Sequence, residues 1–137
     1  MKRGPKAVGV IDIGSSSVRM GIYQAGKSGI QPLDVLEHPL RLGHESFTEG
    51  RVSAQTVREL SGALRGFTRV MKEYAVGECR AAATTALREA ENRAYVIDQL
   101  KTQNNLAVSV LEDGEESALI FNEMLRLHGL QAHTMLA

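Results

Sequence analysis

The chain has 137 residues, 43% of them hydrophobic, and its 16 Lys and Arg balance its 16 Asp and Glu for a formal net charge of zero. That is enough for one globular domain with its own core, and it excludes both a disordered tail and a broadly basic nucleic-acid surface. The single cysteine, Cys79, excludes an internal disulfide and suits a reducing cytoplasm, and no apolar run is long enough to cross a membrane.

The basic start, Met1 to Lys6, leads into an apolar segment that meets Asp12 too soon for a secretion signal. Val8 to Ile13 is nearly all apolar and reads as a strand covered on both faces. Gly14-Ser15-Ser16-Ser17 is a tight polar turn. Val18, Met20 and Ile22 then alternate with Arg19, Gly21 and Tyr23 as a half-exposed second strand. After a turn at Ala25 to Gly29, Ile30 to Leu42 forms a third strand, in which Pro32 and Pro39 require an edge or a bulge. Gly43 to Gly50 reads as a polar loop.

Ser53 is placed to cap a helix, and Val57, Leu60, Leu64, Phe67, Met71 and Tyr74 follow at spacings of three and four. Gly62 and Gly66 inside that helix each cost about 1 kcal/mol relative to alanine, which predicts close packing against a neighbour. Gly77 fits a helix stop, and Cys79 to Ala83 a short strand. Thr84 to Glu91 is a helix-prone turn, and Asn92 caps a helix whose inner face holds Val96, Ile97 and Leu100. A turn at Asn104-Asn105 precedes a buried strand, Leu106 to Leu111. Asp113 opens a helix that runs to His128, Gly129 ends it, and Thr134 to Ala137 starts another strand. The order β-β-β-α-β-α-β-α predicts an α/β fold with a mixed sheet and helices packed on it.

Three segments carry chemistry. The first is the Gly14–Ser17 turn, whose backbone amides and hydroxyls can converge on an anion while Asp12, at the end of the first strand, orients water or a hydrated metal beside it. The same residues also suit an ordinary hairpin. The second is Ala83 to Asn92, where Thr84 and Arg88 stand at a strand-to-helix junction. Arg88 can fork onto phosphate oxygens, or simply pair with Glu91 or Asn92 while Thr84 caps the helix. The third is Val108 to Ala118, which brings Glu112, Asp113, Glu115 and Glu116 to a helix start. Asp113 and Glu116 make a capping-box arrangement, and a carboxylate there is equally suited to act as a general base. The four histidines show no metal-ligand spacing with Cys79, so zinc is not expected. Arg41, His44 and Arg51 can frame an anion channel.

Taken together, Asp-Ile-Gly-Ser-Ser-Ser-Val-Arg from Asp12, Ala-Thr-Thr-Ala-Leu-Arg-Glu-Ala-Glu-Asn from Ala83, and Val-Leu-Glu-Asp-Gly-Glu-Glu-Ser from Val110 resemble the exopolyphosphatase/guanosine pentaphosphate phosphatase family, as does Leu40-Arg41-Leu42-Gly43. The resemblance covers the chain from Ala7 onward. It implies a ribonuclease-H-like, actin-like ATPase fold for a single domain over residues 1–137, the first lobe of a two-lobed enzyme cut before its second phosphate loop. It implies a phosphate loop at Gly14, Ser15, Ser16 and Ser17, phosphate contacts by Arg88 and Thr84, a metal role for Asp12, and Glu116 as catalytic base. Magnesium is the implied cofactor, and polyphosphate or guanosine penta- or tetraphosphate the implied substrate, in a cytoplasmic enzyme of the stringent response. Ser16 departs from the asparagine usual in the family, and Glu112-Asp113 replace its Ser-Gly. The expected reaction is base-assisted hydrolysis of a terminal phosphoanhydride, with these residues inactive on their own. A sensor that binds without cleaving and a sugar or acetate kinase of the same fold are the alternatives. Neither nucleic acid nor membrane is an expected partner. An unfinished sheet edge permits a homodimer.

Overall fold

The computed structural model describes residues 7–26 and 29–112. Three antiparallel strands come first: β1 (Ala7–Ile13), β2 (Ser17–Gly26) and β3 (Gly29–Pro39). Helices α1 (Leu42–Glu49) and α2 (Ala54–Glu73) lead to β4 (Val76–Ala83), then α3 (Thr85–Arg88), α4 (Arg93–Asn104) and β5 (Val108–Val110). The sheet order is β3-β2-β1-β4-β5, with β1 parallel to β4 and β4 parallel to β5. The mixed α/β sheet expected from the sequence is therefore present. The helix from Asp113 and the strand from Thr134 lie outside the described residues.

One face of the sheet builds the core. Ile11, Ile13, Val18, Met20 and Ile22 alternate inward and are essentially inaccessible, and they meet Leu60, Leu64, Phe67 and Met71 of α2 with Val96 and Leu100 of α4. The three- and four-residue spacing of α2 thus does what it promises, and the Ser53 side chain accepts a hydrogen bond from the Thr56 N–H at its start. Pro32 and Pro39 lie on an edge strand, and the register of β3 slips opposite Ile22 and Tyr23. A residue without an N–H is tolerated there because among the described residues no outer strand needs the donor.

Several local expectations are corrected. The segment read as a loop, Gly43 to Gly50, is mostly helix α1, and β3 stops at Pro39 rather than Leu42. Gly77 does not end α2. The left-handed residue there is Ala75 (φ 53°), and Gly77 lies inside β4, which starts at Val76 rather than Cys79. Strand β5 is shorter than Leu106 to Leu111. The Asn92 side chain does not cap α4; it reaches back 40 residues, accepting from the Val52 N–H at 3.0 Å and donating to the Val52 carbonyl at 2.9 Å. Gly62 and Gly66 are not sites of tight packing. A Cβ at Gly66 meets nothing within 4 Å, and one at Gly62 only the Arg65 guanidinium at 3.7 Å. Both border a shallow groove between α2 and β3, beside Leu36, His38 and Val70. Cys79 is a small strand residue packed near Gly9 and Met71, and burial pushes its thiol pKa up to about 11.

Candidate phosphate site at the strand ends

Parallel strands β1, β4 and β5 end side by side, and a run of hydrogen bonds crosses their ends. The Thr84 N–H donates to the Ile13 carbonyl at 3.3 Å, and the Leu111 N–H to the Ala83 carbonyl at 2.8 Å. The Arg88 Nη1 then donates to the Leu111 carbonyl at 2.9 Å. The turn after β1, the helix α3 after β4 and the segment after β5 therefore emerge at one edge of the sheet. All three chemistry-bearing segments begin there, as ligand sites in open α/β sheets commonly do. Glu116 lies outside the described residues, whereas Glu112 is described and exposed.

The turn itself is a short hairpin. The Gly14 N–H donates to the Ser17 carbonyl at 2.9 Å, which uses one of the amides that the sequence offered to an anion. The Ser17 hydroxyl is also committed, donating to Glu37 Oε2 at 2.8 Å. Ser15 and Ser16 are exposed, and among the described residues neither of their N–H groups is given to a backbone acceptor. Their carbonyls are occupied from behind: the Gly43 N–H donates to Ser15 at 2.8 Å and the Leu40 N–H to Ser16 at 2.9 Å. The part of the turn left open is thus its donor side, which is what an anion needs.

Arg88 is 14% exposed and held on several sides. Besides Leu111, its Nη2 donates to Thr85 Oγ1 at 3.4 Å and its Nε lies 3.8 Å from Glu89 Oε1. Among the described residues Arg88 makes its ion pair with Glu89, where the sequence offered Glu91 or Asn92 as its partner. Thr84 precedes α3 without a capping bond from its side chain. Arg88 therefore ties α3 to the β5 end, and its guanidinium sits where the two segments meet. The helix α1, which the sequence did not reveal, places Arg41 and His44 on its exposed surface, and Arg51 follows it, also exposed.

Asp12 is the next-to-last residue of β1, opposite Arg19 of β2 and Ala82 of β4. Its Oδ1 is buried with no hydrogen-bond partner among the described residues. A buried carboxylate oxygen left unpaired is costly, and a cation or its water would complete it. Among the described residues no group of three His, Cys, Asp or Glu side chains gathers to hold a metal. Magnesium keeps its waters and uses one or two carboxylates together with substrate phosphates, and the orphaned Asp12 oxygen is a carboxylate of that kind. The residues present therefore fit such an ion. Helix α1 is anchored beside this edge by Glu45, whose carboxylate accepts from the Ser53 N–H at 2.9 Å and the Ser53 hydroxyl at 2.8 Å. Partial burial pushes the Glu45 carboxyl up, but the bonds from Ser53 and Thr56 and the charge of Arg41 outweigh it and hold the group below its ordinary value.

A three-stranded antiparallel unit continued by parallel strands, with the turn after β1 facing the end of β4, is the architecture of actin-like ATPase domains. A solved Ppx/GppA family protein from Aquifex aeolicus matches with a TM-score of 0.75 at 28% identity, covering 79% of this chain and 35% of that one. An exopolyphosphatase from Cytophaga hutchinsonii matches with a TM-score of 0.78 at 26% identity, over 88% of this chain and 39% of that one. The profile of the Ppx/GppA phosphatase family matches residues 21–133, and the chain belongs to that family. Exopolyphosphatase 1 of Mycobacterium tuberculosis is 26% identical over 130 residues, 94% of this chain. The chain spans about 38% of the length of that relative. Among the described residues no helix is long and apolar enough to cross a membrane.

Proposed function

We propose that this chain is the phosphate-holding part of a hydrolase that removes terminal phosphate from inorganic polyphosphate. The observation that carries the reading is the hydrogen-bonded run Ile13–Thr84, Ala83–Leu111, Leu111–Arg88, which gathers three separate segments at one edge. The turn at Gly14 to Ser17 holds the terminal phosphate through the Ser15 and Ser16 amides and hydroxyls. Arg88 and Thr84, at the two ends of α3, add donors to the same phosphate. Glu116 accepts a proton from the attacking water. That water oxygen bonds to the terminal phosphorus, the bridging P–O bond breaks, and the chain one unit shorter leaves with inorganic phosphate. Asp12 would hold magnesium, which supplies neutralisation of phosphate charge when bound. Most of the acceleration in such a reaction comes from positioning and electrostatics, so donors fixed before the substrate arrives are the important ones.

Support for the substrate class comes from the relatives, whose names specify exopolyphosphatases. Guanosine pentaphosphate offers the same terminal anhydride and belongs to the same proposal, as do a cytoplasmic location and a homodimer. Because the relatives carry much more chain, the 137 residues are expected to bind phosphate chains and release little or no phosphate. Calorimetry with inorganic triphosphate, paired with a phosphate-release assay on polyphosphate and magnesium, tests this. Binding without release is the expected result. Release abolished by Glu116→Gln would show a complete active site, and no binding at millimolar triphosphate would remove the phosphate-site reading.

A further inference from the structure

We propose that Gly43 is a positioning residue for the Ser15–Ser16 turn, acting with the Leu40 amide as a clamp that aims the turn's donors. The inference rests on the reading of that turn as an anion site. A peptide unit is planar and trans, so a carbonyl and the following N–H point in opposite directions. The Gly43 N–H fixes the Ser15 carbonyl at 2.8 Å, and this turns the Ser16 N–H away from α1. The Leu40 N–H fixes the Ser16 carbonyl at 2.9 Å, and this turns the Ser17 N–H away from the β3 end. Pro39 has no N–H to give, so Leu40 supplies the donor at this end of the strand. Two consecutive peptide planes are therefore oriented from behind by one short segment that runs from the end of β3 into the first turn of α1.

The clamp works only at close range, and that is why position 43 is glycine. A Cβ there would lie 2.7 Å from Ser15 Cβ, 3.2 Å from Ser15 Cα and 3.2 Å from Phe47 Cε2. The Phe47 ring is 56% exposed and free to swing aside. Ser15 cannot give way without moving the turn. Nor can α1 retreat: the Gly50 carbonyl at its far end accepts from the Glu91 N–H at 2.8 Å, and Glu45 holds Ser53. A methyl group at position 43 is thus converted into displacement of Ser15 and Ser16.

The test is a titration of the 137-residue chain with inorganic triphosphate, read by calorimetry and by the amide resonances of Ser15, Ser16 and Ser17. Gly43→Ala is expected to weaken binding by about tenfold or more, the scale of one hydrogen bond to a charged group, and to change the shifts of those three amides in the free protein. Gly66→Ala, which meets nothing within 4 Å, should bind as the parent does. Rescue separates aim from general damage. In a Ser15→Gly background the methyl group loses its nearest obstacle, so Gly43→Ala should cost clearly less there than in the parent. Equal binding by parent and Gly43→Ala, or the same cost in both backgrounds, overturns the clamp and leaves the phosphate site standing. A parent that binds no triphosphate overturns the site reading itself, and the clamp with it. If Gly43→Ala alone fails to fold, the comparison of Ser15→Gly/Gly43→Ala with Ser15→Gly decides: recovered folding supports crowding at Ser15, and continued failure contradicts it.

Discussion

Helices α1 and α2 are neighbours in the chain and are held by opposite means. Helix α2 lies on the sheet through Val57, Leu60, Leu64, Phe67 and Met71, a stripe of side chains at most 9% exposed. Helix α1 buries only Leu42, Gly43 and Ser46 and is held instead by directed bonds at both ends. Burial is strong and non-directional, so it tolerates small sliding. Hydrogen bonds weaken steeply as their angles open, so they fix orientation. The helix nearest the Ser15–Ser16 turn is the one fixed by orientation, and the helix that carries the stability is the one fixed by burial.

That contrast can be broken most severely at α2. Leu64→Ala removes a side chain 1% exposed and should cost about 2–5 kcal/mol, seen in urea melts. A loss under about 1 kcal/mol would mean that α2 is not the main brace of the sheet. Asn92→Ala should come next. It strips both partners from the Val52 backbone, whose residue is 2% exposed, at a cost of about 1–3 kcal/mol. Little change would show that water replaces Asn92 and that the α1–α2 connection is not sewn to α4 by this side chain.

Smaller effects sharpen the comparison. Ser53→Ala removes the cap of α2 and the hydroxyl, though not the backbone N–H, that Glu45 accepts from, and should cost about 1 kcal/mol. Glu45 has its carboxyl held below the ordinary value, so its contribution is present above the unfolded-chain pKa and is lost as pH falls through the folded one. The stability advantage of the parent over Glu45→Gln should therefore be full at neutral pH and shrink on acidification below the ordinary carboxylate range. An advantage unchanged in acid would contradict the clasp. Gly66→Ala should stabilise the protein by up to about 1 kcal/mol, because the helix gains propensity and the added methyl meets open space. Destabilisation would show that the groove beside α2 is narrower than its glycines suggest.

The same contrast explains what was legible beforehand. Helix α2 and strand β2 are written in local periodicity, because side chains facing one core must recur at the period of their element, and β1 is written in a nearly unbroken apolar run. Helix α1, Leu-Gly-His-Glu-Ser-Phe-Thr-Glu, has no apolar repeat, and the contacts that hold it come from Ser15, Ser53 and Glu91, remote in the chain or beyond its end. Asn92 resembled a local cap because its long-range partner, Val52, is invisible to spacing. Gly77 was the more plausible stop, yet the turn out of α2 falls on Ala75, where an L-residue accepts positive φ. At the candidate site, the open turn and its strand-end setting were legible, and the family resemblance rested on the segments found there. The engagement of the Ser17 hydroxyl with Glu37, of Arg88 with Leu111, and of Gly43 with Ser15 was not, since each depends on which strands lie side by side.

The central claim is that the turn after β1 and the start of α3 form one anion site. Amide chemical-shift mapping during titration with inorganic triphosphate tests it most directly. The account predicts saturable shifts concentrated at Gly14 to Ser17 and Thr84 to Arg88. Shifts confined to the exposed basic residues of α2, Arg58, Arg65, Arg69 and Lys72, with the turn unmoved, would contradict it.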